Sequence, residues 1–82
     1  MESITLKNTA GKTITYEPDD ILWFFEETGS GLLRIIDTER RLETFPLDAR
    51  QIAQLRTQLQ ASHTPIWFGA FQGEKLPLEK LL

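Results

Sequence analysis

The chain has 82 residues, a net charge of −3 and no cysteine. This length predicts one domain spanning residues 1–82, and the lack of cysteine excludes disulfides and thiol catalysis. No stretch approaches the roughly 20 apolar residues of a membrane span, and the first residues lack the apolar run of a signal peptide. Together these features predict a cytoplasmic protein with no membrane partner, and the mild acidity argues against strong nucleic acid binding.

The first predicted elements are two strands, at residues 4–7 and 12–17, joined by a turn at residues 8–11. Apolar and polar residues alternate in both strands, as is typical of a half-buried strand. The pair therefore predicts a hairpin. Its inward side chains are Ile4, Leu6, Ile14 and Tyr16.

Residues 21–25 form an unbroken apolar run, which Pro18, Asp19 and Asp20 precede. A run this short and uniformly apolar predicts a strand that is buried on both faces. Simple alternation would place Ile21 with Trp23 and Phe25 on one face and Leu22 with Phe24 on the other. A glycine-containing turn at residues 28–31 then reverses the chain.

Two further strands are predicted at residues 32–37 and 41–47 before the periodicity changes. In the first of these, Leu33 and Ile35 share one face. Asp48 then opens a capping box with Gln51, and apolar residues recur at helical spacing. The pattern predicts an amphipathic helix over residues 48–60 that packs on the sheet.

Residues 66–71 predict a sixth strand, rich in aromatic side chains, and a short tail follows it. The fold class is therefore α+β: a mainly antiparallel sheet of about six strands with one amphipathic helix packed on it. If the helix covers one face of the sheet, little chain remains to cover the other. Either the core closes as a barrel or sandwich, or the second face is a dimer or partner surface. The residues assigned to such a protein interface are Trp67, Phe68 and Phe71.

No catalytic constellation stands out, because the sequence shows no nucleophile motif, no metal-ligand cluster and no acid–base set. We therefore predict a protein that is not an enzyme and that needs no cofactor or metal. No small-molecule substrate is evident from the sequence. His63, the only histidine, follows the predicted helix, where it could interact with the last carbonyls or contact a phosphate.

Seven of the nine basic residues lie within residues 31–82, and five arginines fall between residues 34 and 56. Arg40 and Arg41 occupy a predicted hairpin tip, and Arg34 lies on the strand before it. Side chains so placed could contact phosphates, or they could be ordinary solvated charges. The residues that we assign to a nucleic acid contact are Arg34, Arg40, Arg41 and His63.

The order of these parts resembles the first half of a LytTR-type DNA-binding domain. The resemblance covers about residues 4–60 and rests on two strands, the phrase Pro18-Asp19-Asp20-Ile21-Leu22-Trp23-Phe24, a glycine turn, two more strands and an amphipathic helix. It implies a mostly β fold that contacts duplex DNA through loops and a helix end. Family members then have a basic, histidine-containing segment, whereas residues 64–71 carry no positive charge. The family's base-reading residues therefore have no counterpart here.

Two functions follow from these observations. The first is a small LytTR-like DNA-binding or transcription-regulatory module. The alternative is a non-enzymatic module that binds another protein or a second copy of itself through an exposed aromatic sheet face.

Overall fold

The computed structural model describes residues 3–27, 31–62 and 65–71. These residues form an α+β fold with one α-helix and six strands. The elements are β1 (Ile4–Lys7), β2 (Thr13–Tyr16), a short 3₁₀ helix (Pro18–Asp20), β3 (Ile21–Glu27), β4 (Leu32–Asp37), β5 (Leu42–Pro46), α1 (Ala49–Gln60) and β6 (Trp67–Phe71).

The strands form two sheets, so the expectation of about six strands in one sheet is wrong. Among the described residues, β1 and β2 pair only with each other, as an antiparallel hairpin, and the remaining strands form a sheet in the order β5-β4-β3-β6. The sheet is antiparallel except at β6, which runs parallel to β3. Two neighbouring parallel strands must be joined by a long crossover connection. The chain between β3 and β6 is such a connection, and it contains helix α1.

The hairpin is held to the larger sheet by its own turn. The Asn8 side-chain oxygen accepts hydrogen bonds from the backbone N–H groups of Ala10 and Lys12, at 3.0 and 2.8 Å. The Asn8 amide nitrogen donates to Glu43 Oε2 at 3.0 Å, and the Thr9 backbone N–H donates to the Thr44 carbonyl. These contacts dock the turn against β5 without merging the two sheets.

The main core lies on one face of the four-stranded sheet, here called the helix face. Both α1 and the hairpin pack against this face, so the inward side chains predicted for the hairpin are confirmed. An ion pair between Arg56 of α1 and Glu26 of β3 joins the helix to the sheet. The buried residues of this core are Ile4, Tyr16, Ile21, Phe24, Leu33, Ile35, Phe45, Ile52 and Leu59.

The opposite side of the sheet is here called the aromatic face, and its residues are Trp23, Phe25, Arg34, Ile36, Leu42 and Trp67. Phe25 and Ile36 are buried, so the prediction that the central strand is buried on both faces is confirmed. The predicted placement of Ile21 is wrong. A bulge at Leu22 shifts the register of β3 against β4, and Ile21 therefore joins Phe24 in the main core.

Helix α1 begins as the sequence predicts. Asp48 is its N-cap, and its carboxylate accepts a hydrogen bond from the backbone N–H of Gln51 at 2.8 Å. The Gln51 side chain in turn accepts from the backbone N–H of Asp48 at 3.1 Å, which completes the capping box. Ile52 and Leu59 of this helix are buried in the main core. No helix in the described part of the chain is long and apolar enough to cross a membrane.

Candidate functional site

Three indole and phenyl rings form a continuous stack across the aromatic face. The rings of Trp23 and Phe25 are nearly parallel, with centroids 5.2 Å apart and an interplanar angle of 7°. Trp67 stacks on Trp23 from the neighbouring strand, with centroids 5.8 Å apart. This order follows from the parallel register, in which β6 pairs Trp67 with Trp23 and Gly69 with Phe25.

Trp67 lies at the outer end of this stack and is 59% exposed. It is the exposed large apolar side chain among the residues whose burial the structure describes. Large exposed apolar surface on a small protein is typical of a contact site. The stack therefore forms an aromatic surface whose inner part is packed and whose outer ring meets solvent.

The other two residues assigned to a protein interface are placed differently. Phe68 points to the helix face, where its ring lies 5.5 Å from that of Phe24 and packs against the main core. Its role in the structure is therefore packing. Phe71 belongs to β6, and its side chain lies outside the described part of the structure.

The arginines assigned to a nucleic acid contact do not form one basic surface. Arg34 is half-buried on the aromatic face, opposite Phe25 of β3 and Thr44 of β5. Arg40 and Arg41 lie beyond the end of that strand, in the turn between β4 and β5. His63, the fourth residue of this group, lies outside the described residues.

The turn between β4 and β5 is organised by Asp37, which is buried. Its Oδ1 accepts hydrogen bonds from the backbone N–H groups of Glu39 and Arg41, both at 2.9 Å. Its Oδ2 accepts from Arg41 Nε at 3.1 Å, and Glu39 binds the same guanidinium at 3.0 Å. Hydrogen bonding to Asp37, followed by the charge of Glu39, raises the pKa of Arg41. The Arg41 charge is thus largely balanced at this tip.

Arg40 has a left-handed backbone conformation in this turn, with a φ of 66°. This left-handed conformation is unusual for a residue with a side chain. It leaves Arg40 exposed beside the balanced Arg41.

A cleft of about 390 Å³ separates β2 from the turn between β4 and β5. We call it the tyrosine cleft, after Tyr16 in its wall. The charged residues that line it are Lys12, Asp20, Asp37, Glu39, Arg41 and Glu43. Four carboxylates thus face two cations, so the lining is acidic. The described residues contain no group of three or more His, Cys, Asp or Glu that could hold a metal ion.

Tyr16 is 3% exposed, and its hydroxyl has no hydrogen-bond partner in the described structure. Its ring packs edge-on against Phe45, with centroids 6.0 Å apart. Burial, and next the nearby carboxylates of Glu43 and Asp37, raise the pKa of Tyr16 from 10.0 to about 12. The hydroxyl is therefore neutral at physiological pH.

Sequence reasoning assigned Tyr16 to the core and missed the cleft. Alternation along the hairpin predicts that Tyr16 points inward, but only the tertiary structure brings residues from the segment 37–43 into the same cleft as Tyr16. The one local signal is a tyrosine, with its polar group, where a phenylalanine would fill the core equally well.

No family model, curated protein or solved structure matches this chain.

Proposed function

We propose that this chain is a non-enzymatic interaction module that associates with a second copy of itself through the aromatic face. The observation that carries the proposal is the 59% exposure of Trp67 at the end of an ordered ring stack. Tryptophan is enriched among the residues that dominate binding energy at protein interfaces.

The stack prepares Trp67 for binding. Its indole already rests on Trp23, which in turn rests on Phe25. A ring that is held in place before association loses less conformational entropy when it becomes buried. Burial of its exposed surface then contributes favourably because apolar area leaves water.

The symmetry of a two-fold dimer favours a second copy as the occupant. A two-fold dimer places the same surface on both sides, so the exposed ring of Trp67 in each copy can pack against the aromatic face of the other.

Sedimentation velocity over a range of protein concentrations tests the proposal. We expect a monomer–dimer equilibrium in the wild type and a shift toward monomer in Trp67→Ala. Gln58→Ala is the matched control, since Gln58 is an exposed residue of α1 on the other side of the sheet. A wild type that stays monomeric at every concentration would refute self-association through this face.

The second candidate is the LytTR-like DNA-binding module, and the tip formed by Arg40 and Arg41 supports it. Both side chains are exposed there, and exposed arginines on a turn can reach phosphates. The net charge of −3 and the two acids bound to Arg41 weigh against strong binding.

Titration with a labelled mixed-sequence duplex at about 50 and about 200 mM salt tests this candidate, because phosphate contacts weaken steeply as salt rises. The informative variant is Arg40→Gly, which removes the charge and suits the left-handed backbone. If DNA binding is real, Arg40→Gly weakens it and lowers its salt dependence. Arg50→Gln, at an exposed position of α1, should weaken DNA binding less. An absence of binding at both salt concentrations would reject the regulatory function.

A further inference from the structure

The wall of the tyrosine cleft contains a polar side chain whose hydrogen-bonding capacity is not satisfied within the described structure. The Tyr16 hydroxyl is buried and has no hydrogen-bond partner in the described structure. Buried polar groups in native proteins are nearly always hydrogen-bonded, and each exception requires an explanation. Because the Tyr16 ring already packs on Phe45, a phenylalanine would give the core the same ring without the unpaired hydroxyl. The hydroxyl is therefore a candidate for contact with a ligand.

The charges around the hydroxyl define what the cleft can accept. Four carboxylates line it, against Lys12 and Arg41. Arg41 is already bound to Asp37 and Glu39, which leaves Asp20 and Glu43 as the acids without a bound cation in the described structure. A wall of this sign repels anions and attracts cations.

We propose that the tyrosine cleft binds an organic cation through an ammonium or guanidinium group, which donates hydrogen bonds to the Tyr16 hydroxyl and to the Glu43 carboxylate. A neutral phenol oxygen accepts such a bond, and an ammonium or guanidinium group supplies several N–H donors.

The size of the cleft agrees with this assignment. Its volume of about 390 Å³ lies within the range of small-molecule sites, roughly 300–1,000 Å³. A cationic head on a short aliphatic chain fits this space. The same chemistry is available from a free amine and from an arginine side chain of a peptide.

This assignment does not depend on self-association. The cleft lies between the hairpin and the larger sheet, and Tyr16 belongs to the core of the helix face. The proposed dimer surface is the opposite face of the sheet. Failure of one proposal therefore leaves the other intact.

NMR titration of the full chain with agmatine, and separately with the peptide acetyl-Gly-Arg-Gly-amide, tests the proposal. We expect saturable shifts of the backbone amides of Thr15, Tyr16 and Thr38, which border the cleft. Adipate, a dianion whose charges are also separated by four methylene groups, should cause none. Saturation by agmatine alone would identify a free small cation as the ligand, and saturation by the peptide would identify an arginine side chain.

Variants separate a specific site from general attraction to an acidic protein. Tyr16→Phe keeps the ring and should weaken binding about tenfold, which is the scale of one lost hydrogen bond to a charged group. Glu43→Gln removes a charge, keeps an acceptor for Asn8 and should weaken binding at least as much. Asp48→Asn removes one charge at the N-terminus of α1 and should leave binding unchanged. Equal affinity of Tyr16→Phe and wild type, or no saturation with either probe, would overturn the proposal.

Discussion

Gly69 lies directly against the ring of Phe25, and a methyl group added at Gly69 would come within 2.9 Å of both Cδ1 and Cε1. Phe25 is buried and is stacked against Trp23, so its ring has little room to move. We expect Gly69→Ala to lower the free energy of unfolding by about 1–3 kcal/mol, the usual cost of overpacking. Urea denaturation measures this change.

The Phe25→Leu background provides the control for Gly69→Ala. Leucine removes the ring edge that meets the new methyl group, so the cost of Gly69→Ala should fall in this background. A double-mutant cycle isolates the contact, because the two residues are paired across β3 and β6. Equal costs in both backgrounds would show that the contact with Phe25 is not the cause.

Tyr16 should ionise at an unusually high pH. Desolvation, with the charges of Glu43 and Asp37 next, raises its pKa from 10.0 to about 12. It is the only tyrosine in the chain, so the absorbance of tyrosinate reports on this one residue. We expect a midpoint near 12 in the folded protein and near 10.0 in urea; a folded midpoint near 10.0 would contradict the buried hydroxyl.

The same pKa shift predicts how stability depends on pH. The folded state holds the Tyr16 proton more tightly than the unfolded state, so its contribution is fully present below pH 10 and is lost as the pH rises toward about 12. Tyr16→Phe should remove this part of the alkaline destabilisation. Thermal unfolding of both proteins across this pH interval measures the difference.

The capping box of α1 should make a measurable contribution to stability. Asp48→Ala removes the acceptor for the Gln51 backbone N–H and should cost about 1 kcal/mol. Asp48→Asn is the matched control, since asparagine is an equally good N-cap and only the charge is lost. Chemical denaturation distinguishes the two, and equal losses would assign the effect to charge.

Asp37 should be more sensitive to substitution than the exposed residues of its turn. Asp37→Ala leaves the backbone N–H groups of Glu39 and Arg41 without their acceptor and should cost about 2 kcal/mol. Asp37→Asn keeps an oxygen for these two donors and should cost clearly less. Denaturation of both variants tests this, and equal costs would attribute the effect to the ion pair with Arg41.

The sequence predicts those elements whose signals are local. The capping box and the helical spacing of Ile52 and Leu59 lie within a few turns of one helix, and the structure confirms them. Strict alternation likewise identifies the hairpin. The inward direction of Tyr16 follows from the same alternation.

The elements that sequence reasoning missed depend on contacts between distant parts of the chain. The bulge at Leu22 cannot be recognised from the sequence, because every residue of this run is large and apolar. Simple alternation therefore misplaces Ile21. The parallel direction of β6 depends on how the crossover through α1 returns to the sheet. The tyrosine cleft forms only when β2 is brought against residues 37–43.

The parallel pairing of β6 also sets an order of assembly. Strands β3, β4 and β5 are successive antiparallel neighbours, so they can form from contacts between nearby residues. β6 pairs with β3 across the intervening β4, β5 and α1, and this longer loop closure is slower. During synthesis, the ring of Trp23 therefore lacks its contact with Trp67 until β6 has been made. In the finished protein, the amides of β6 should exchange with solvent earlier than those of β4.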